Sequence, residues 1–304
     1  MSKIIVVGDY NIDLVVYLER FPEPGETLNG KSFFEGPGGK GSNQAIAAAR
    51  LDADVTFFGA IGSDYYGRIA MEAWQSNGVD TSLVIEDRQA ETAVAMIYVN
   101  GVGDNMIAVN QGANLLLQPH HIEDIRDAIA EADVLMCTLG VSLPAVQRAL
   151  EIARESNTIA LMNPAPAASL PEGLIAASDY ITPNESELRS IIGSGMESPP
   201  VDLARQLMQR DDQTFIVTVG ERGAQWVTRE ESGHVPAFEV SVEDTIGAGD
   251  AFNAALAVAL AEGTDLREAL RFACAAGSLS ATKAGAVAGM PMRADVDALV
   301  ASEQ

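Results

Sequence analysis

Short, mainly apolar runs recur along the chain at 4–7, 55–58, 134–136, 158–162 and 215–219, bounded by Gly, Asp or Pro. Unbroken runs of this length predict strands buried on both faces, as in a parallel sheet. Between them, 42–51, 66–77, 122–131, 143–156 and 186–192 place apolar residues at helical spacing. Strand and helix in alternation predict βαβ units, hence a Rossmann-like α/β fold with a central, mostly parallel sheet. From Gly247 onward the pattern is nearly all helical, with Phe252, Ala255, Leu256 and Ala259 on one face and Leu266, Leu270 and Ala273 on another. Those helices are expected to cover the sheet.

Two segments, 9–36 and 92–112, break this rhythm. In the second, Val94, Met96 and Tyr98 alternate with Ala95, Ile97 and Val99, the period of a strand. Both are expected to form a separate small sheet. A helix and a core strand lie between them, so they read as two excursions that meet as a lid over one domain spanning 1–304.

Composition adds limits. Of 304 residues, 47% are hydrophobic and 20% charged, ordinary values for a globular chain with a sizeable core. A formal charge of -24 repels phosphate backbones and anionic membrane surfaces, so neither nucleic acid nor membrane is expected as a partner. A nucleotide is still admissible, because backbone N–H groups at a helix start and a metal ion hold phosphates locally. Cys137 and Cys274 stand apart in apolar stretches and read as free buried thiols, which suits the cytoplasm. The first apolar run is too short for a signal-peptide core, and 254–261 is far short of the roughly 18 to 20 residues of a membrane helix.

Chemistry concentrates in a few places. Gly36-Pro37-Gly38-Gly39-Lys40-Gly41-Ser42-Asn43-Gln44 opens an Ala-rich helix. It fits GxGxxG, but a dinucleotide fingerprint follows the first core strand and has an acidic residue at the end of the second. It also places a lysine as a P-loop does, yet Gly41 stands where the magnesium-binding Ser or Thr belongs. Neither nucleotide motif is accepted; Lys40 and Asn43 favour a ligand site over a plain glycine turn.

Asp244-Thr245-Ile246-Gly247-Ala248-Gly249-Asp250 opens another helix. Gly247, Ala248 and Gly249 let N–H groups converge ahead of it, an anion cradle reinforced by the helix dipole. Asp250 in the first turn either caps the helix or serves as a base beside the anion, and the same dipole is expected to keep it ionised. Asn184 and Glu187, three apart, either cap a helix or reach magnesium through its waters. The turn from Thr218 to Gly223 suits the flank of a nucleotide as well as a bare β-turn, and Asn11 and Asp13 suit vicinal sugar hydroxyls. His120, His121 and His234 form no ligand constellation.

In order and spacing these segments, with Asn163-Pro164-Ala165-Pro166, resemble the ribokinase-like (PfkB) carbohydrate kinases nearly end to end. The resemblance implies an ATP-dependent sugar kinase with a β-sheet lid that forms a homodimer contact. It implies that Asn11, Asp13, Gly39, Lys40, Gly41 and Asn43 bind sugar, and that Asn184, Thr218, Gly220, Arg222, Gly223 and Gly249 bind ATP. It makes Asp250 the general base and Gly247, Ala248 and Gly249 the anion hole. It links Glu187 to Mg2+ through water, and Asp244, Ile246 and Gly285 to a potassium site. Three positions depart from the family. Gly140 stands where a carboxylate usually touches the sugar, Cys274 where Asn or His often meets adenine, and Gly289 where the cation loop often has Ser.

The activity expected is transfer of the γ-phosphate of ATP to a primary hydroxyl of a pentose or related furanose. Ribose and deoxyribose come first, fructose-type sugars and nucleosides behind them. Loss of an acceptor at Gly140 implies relaxed discrimination among furanoses. A non-catalytic sugar- or nucleotide-binding regulator of the same fold is the alternative. A dinucleotide oxidoreductase is disfavoured by the missing fingerprint.

Overall fold

The computed structural model describes residues 1–166, 170–193 and 198–302. Its strands are β1 Lys3–Val7, β2 Asn11–Tyr17, β3 Ser32–Gly38, β4 Asp54–Phe58, β5 Ala60–Gly62, β6 Ile85–Asp87 and β7 Val94–Val99. They continue as β8 Asn105–Asn110, β9 Val134–Thr138, β10 Ile159–Asn163, β11 Tyr180–Ile181, β12 Thr214–Thr218, β13 Ala224–Val227 and β14 Ser232–Val235. The helices are α1 Lys40–Arg50, α2 Tyr65–Ser76, α3 Pro119–Asp124, α4 Arg126–Glu131, α5 Leu143–Ser156 and α6 Glu172–Ala177. After them come α7 Glu185–Ile192, α8 Pro200–Leu207, α9 Ala248–Ala261, α10 Leu266–Ser280, α11 Ala286–Gly289 and α12 Arg293–Ser302.

The main sheet has eight strands in the order β14-β13-β12-β11-β10-β9-β1-β4. The six from β12 to β4 run parallel, and β13 and β14 extend one edge antiparallel. Because successive side chains leave a strand on opposite faces, β1 sends Ile4 and Val6 into one core and Ile5 and Val7 into the other. The first core lies under α1, α9 and α10, the second under α3 to α8. This is the central parallel sheet that the unbroken apolar runs predicted.

The helix expected over 122–131 is two, because Ile125 leaves helical geometry and its N–H turns back to the Ile122 carbonyl at 3.2 Å. Helix α9 is buried almost all round. Its alanines Ala251, Ala254, Ala255 and Ala257 let neighbouring backbones come close, and the helix packs beneath the sheet among Ala269, Ala273 and Ala276 of α10.

The separate small sheet is present, with four strands ordered β3-β2-β7-β8. Strands β2 and β7 pair in parallel, and the outer two pair antiparallel to them. Only three residues separate β1 from β2, so this sheet departs directly from the carboxyl end of an inner strand of the main one. Asn114 fixes the departure: its side chain accepts from Tyr10 N at 3.2 Å and donates to Tyr10 O at 2.9 Å. Among the described residues no helix is long and apolar enough to cross a membrane.

Candidate active site

The carboxyl ends of parallel strands are where open α/β sheets leave room for ligands. Here that edge opens into a cleft of about 980 Å³ roofed by the small sheet. Its walls include Asn11, Asp13, Gly39, Lys40, Asn43, Asn184, Glu187, Thr218, Asp244, Ile246, Gly247, Gly249, Asp250 and Gly285. The chain thus gathers most of the candidate residues from six separate segments.

Asp250 stands at the centre. It is 5% exposed, and its carboxylate accepts from Asn43 Nδ2 at 3.0 Å and Gln44 Nε2 at 3.1 Å. It does not cap α9, whose N-cap Gly247 has no side-chain bond. Burial holds the Asp250 carboxyl above the usual carboxylate range, opposed by the Lys40 charge and by the bonds from Asn43 and Gln44. Loss of water thus acts against the helix dipole at this position, and Lys40 restores part of the balance. Lys40 in turn is held above its ordinary range first by Asp250, with Glu187, Asp9 and Asp13 adding to the same effect.

Gly247 has φ +82° with Ala286 Cα 3.0 Å from where a Cβ would stand, so only glycine turns the chain into α9 there. Nothing lies within 4 Å of a Cβ position on Gly249, so the helix start is open to the cleft. Ala248 is not among the cleft walls, and its N–H is turned to Thr245 O at 3.2 Å. Gly39, at φ +89°, needs the same freedom, since a Cβ would meet Tyr10 Cα at 2.6 Å. Gly41 is a packing glycine behind the wall, pressed against Gly8, with its N–H on Asp9 Oδ1 at 3.0 Å.

Asn11 Nδ2 donates to Asp13 Oδ1 at 2.6 Å. Burial pushes Asp13 up to about 6 against that bond, with Asp9 and Asp250 adding repulsion. Asn43 Oδ1 is a buried acceptor without a partner among the described residues. An orphan acceptor, an ionisable one and an amide on one wall suit a ligand rich in hydroxyl groups.

Asn184 caps α7: its side chain accepts from Glu187 N at 2.8 Å, while Glu187 Oε2 accepts from Asn184 N at 2.8 Å. The capping reading is therefore satisfied, and both side chains also face the cleft. Thr218 bridges to Asn184 in parallel and closes that wall. Gly220, Arg222 and Gly223 follow on the turn beyond it, outside the cleft walls; Arg222 pairs with Glu185 at 2.7 Å.

Both oxygens of Asp244 accept backbone N–H groups, from Ile246 at 3.0 Å and Gly285 at 2.9 Å, so the three potassium-loop candidates meet at one carboxylate. Among the described residues no three His, Cys, Asp or Glu converge as a metal cage. The carboxylates of Glu187 and Asp250 on the cleft wall are of the kind magnesium uses, since it keeps several waters, leans on phosphates and needs only one or two carboxylates.

Two residues escaped notice in the sequence. Gln44 donates from Nε2 to Asp250 Oδ1 and to Asn163 Oδ1, both at 3.1 Å. Asp9 accepts from Gly41 N, Lys40 N and Thr138 Oγ1 at 3.0, 3.1 and 2.8 Å. Their only signal was position, beside Asn43 and directly after the first core strand.

An ionisable acceptor beside an open helix start and a half-buried lysine is what phosphoryl transfer to a neutral hydroxyl compound requires, and it marks an α/β small-molecule kinase. The sequence pattern of the pfkB family carbohydrate kinases matches residues 1–293, and the chain belongs to that family. It is 37% identical over 303 residues to the ribokinase of Staphylococcus aureus (strain COL), covering 97% of this chain and 99% of that one. With the deoxyribokinase of Salmonella typhi it shares 34% over 296 residues, 95% of each chain. A solved structure of Arabidopsis thaliana ribokinase complexed with ribose and ATP matches with a TM-score of 0.90 at 29% identity, covering 99% of both chains.

Proposed function

We propose that the protein is an ATP-dependent pentose kinase that phosphorylates the primary hydroxyl of a furanose, ribose or deoxyribose first. The observation that carries this reading is the buried Asp250 carboxylate, held by Asn43 and Gln44 at the open start of α9 and facing the cleft.

Asn11, Asp13, Lys40 and Asn43 bind the sugar with its hydroxyl toward Asp250, and Gly39 lets the backbone approach it. Asp250 takes the hydroxyl proton as the oxygen attacks, a transfer that a sugar alcohol cannot achieve alone at neutral pH. The N–H groups of Gly247 and Gly249 face the charge on the transferred group, and Lys40 adds the nearest cation. Asn184 and Thr218 flank the nucleotide, with Gly220, Arg222 and Gly223 along its edge. Glu187 and Asp250 would hold magnesium through waters, and the ion would supply neutralisation of phosphate charge. Asp244, Ile246 and Gly285 would hold potassium where Asp244 ties their loops together, and the ion would steady the helix start.

Asn11, Asp13, Val15 and Tyr17 share one face of β2 and line the cleft, joined by Ile97, Val99, Ile107 and Val109. This roof is polar beside Asp250 and apolar beyond it. Phe34, Ile107 and Val109 are about half exposed at its far end. A second copy of the chain covers that apolar end, and the sheet serves both as lid and as homodimer contact. Two free buried thiols suit a reducing cytoplasm.

A coupled assay of ADP release over a panel of pentoses, hexoses and nucleosides tests the assignment. Turnover fastest with a pentose is expected. A nucleoside or a ketohexose preferred over every pentose would replace the substrate, and no turnover with any member would favour a binding regulator.

A further inference from the structure

Asp9 leaves the end of β1 and is 7% exposed, yet it lines the cleft together with Asn11, Asp13, Gly140 and Asn163. Oδ1 is filled by Gly41 N and Thr138 Oγ1. Among the described residues, Oδ2 accepts one bond, from Lys40 N at 3.1 Å. A carboxylate oxygen accepts two, so one acceptor position is unused.

Gly140 explains how this carboxylate reaches the wall. Thr138, at the end of β9, and Asp9, just beyond β1, meet across adjacent strands. A Cβ on residue 140 would overlap Cγ of Asp9 and stand 2.6 Å from its Oδ2. Any side chain there displaces the Asp9 carboxylate, and glycine admits it.

We propose that Asp9 is a sugar contact, accepting a hydroxyl of the bound furanose through Oδ2 in the space that Gly140 leaves open. The wall then keeps an acidic acceptor despite the glycine, and the relaxed discrimination expected from Gly140 does not follow. A site built to bond a hydroxyl rejects the analogue lacking it. This proposal rests on the pentose-kinase reading.

The test is a cycle between enzyme variants and sugars. Ribose and its singly deoxygenated analogues are compared on wild type, Asp9→Ala and Gly140→Ala, reading kcat/KM for each. For wild type, removal of one particular hydroxyl is expected to cost at least about tenfold, the usual worth of a bond to a charged acceptor. In both variants that penalty shrinks toward the value for the other hydroxyls, with KM for ATP unchanged. Should Asp9 serve only to tie down the Lys40–Gly41 turn, Asp9→Ala loses the same factor on every sugar and the wild-type pattern persists, which overturns the proposal. Gly140→Ala retains the carboxylate and decides the matter if Asp9→Ala does not fold. Wild type inactive on every pentose refutes the kinase reading instead, so the two failures are distinct.

Discussion

The two ends of the cleft differ in how much the chain finishes by itself. Around Asp250, carboxylate, lysine and amides lock together from α1 and α9, and the supporting helix is buried nearly all round. At the far end of the roof, Tyr17, Phe34, Ile107 and Val109 stand partly in solvent. Side chains are thus held in place around Asp250 and stand in solvent at the apolar end. Chemistry is expected to depend on the first end, and affinity on the second.

The largest effect that would break this contrast is at Asp250. Asp250→Asn keeps the shape and removes the base, so kcat should fall roughly a hundred- to ten-thousandfold while calorimetry finds ATP affinity nearly unchanged. A variant with more than about a tenth of wild-type kcat, chemistry being rate-limiting, means another group takes the proton.

Asp13, on the roof but at its polar end, comes next. Asp13→Ala should raise the sugar KM roughly 10- to 100-fold with a smaller change in kcat. An unaltered KM on every accepted sugar excludes it as a ligand. Its carboxyl is pushed up to about 6 by burial, so sugar binding should weaken as pH falls through that value. The sign for stability is opposite. A raised carboxyl binds its proton more tightly when folded, so the free protein should melt a few degrees higher as pH drops from 7 toward 5, on account of this group. Asp13→Asn should flatten that slope, and differential scanning calorimetry of both proteins across the range decides it.

At the apolar end, Ile107→Asp should convert a dimer to a monomer by light scattering and raise the sugar KM several-fold, leaving kcat within about threefold, since a buried charge opposes association. A wild-type chain that is monomeric at micromolar concentration would remove the covering partner. The smallest effect is ionic. Potassium should activate modestly, and Asp244→Ala should abolish the difference between potassium and sodium. Equal rates in sodium, potassium and a bulky organic cation would dismiss the site.

The main strands and most of the candidate site were legible in the chain because their signals are local. An apolar run marks a doubly covered strand such as Val134–Thr138, and small residues before a helix mark Gly247–Gly249. Strand Asn105–Asn110 is exposed on both faces and carries no clear alternation to read. The partners of Asp9 and Gln44 lie 129 and 206 positions away, so neither role is visible before the chain folds. The same holds for the elevated Asp250 carboxyl, which follows from burial in the folded chain, opposed by Lys40, Asn43 and Gln44 of α1. The contact between Gly140 and the Asp9 carboxylate is likewise a product of folding, invisible along the chain.

Strand β2 begins three residues after β1 and carries Asn11 and Asp13 on the small sheet rather than the large one. Occupancy of the cleft therefore reports on the posture of the roof. By linkage, whatever favours one posture at the distant apolar edge must shift the sugar equilibrium by a definite factor, and the sugar must return the same factor to that edge. A ligand-dependent change in self-association and a concentration-dependent change in sugar affinity are one quantity, open to measurement from either side.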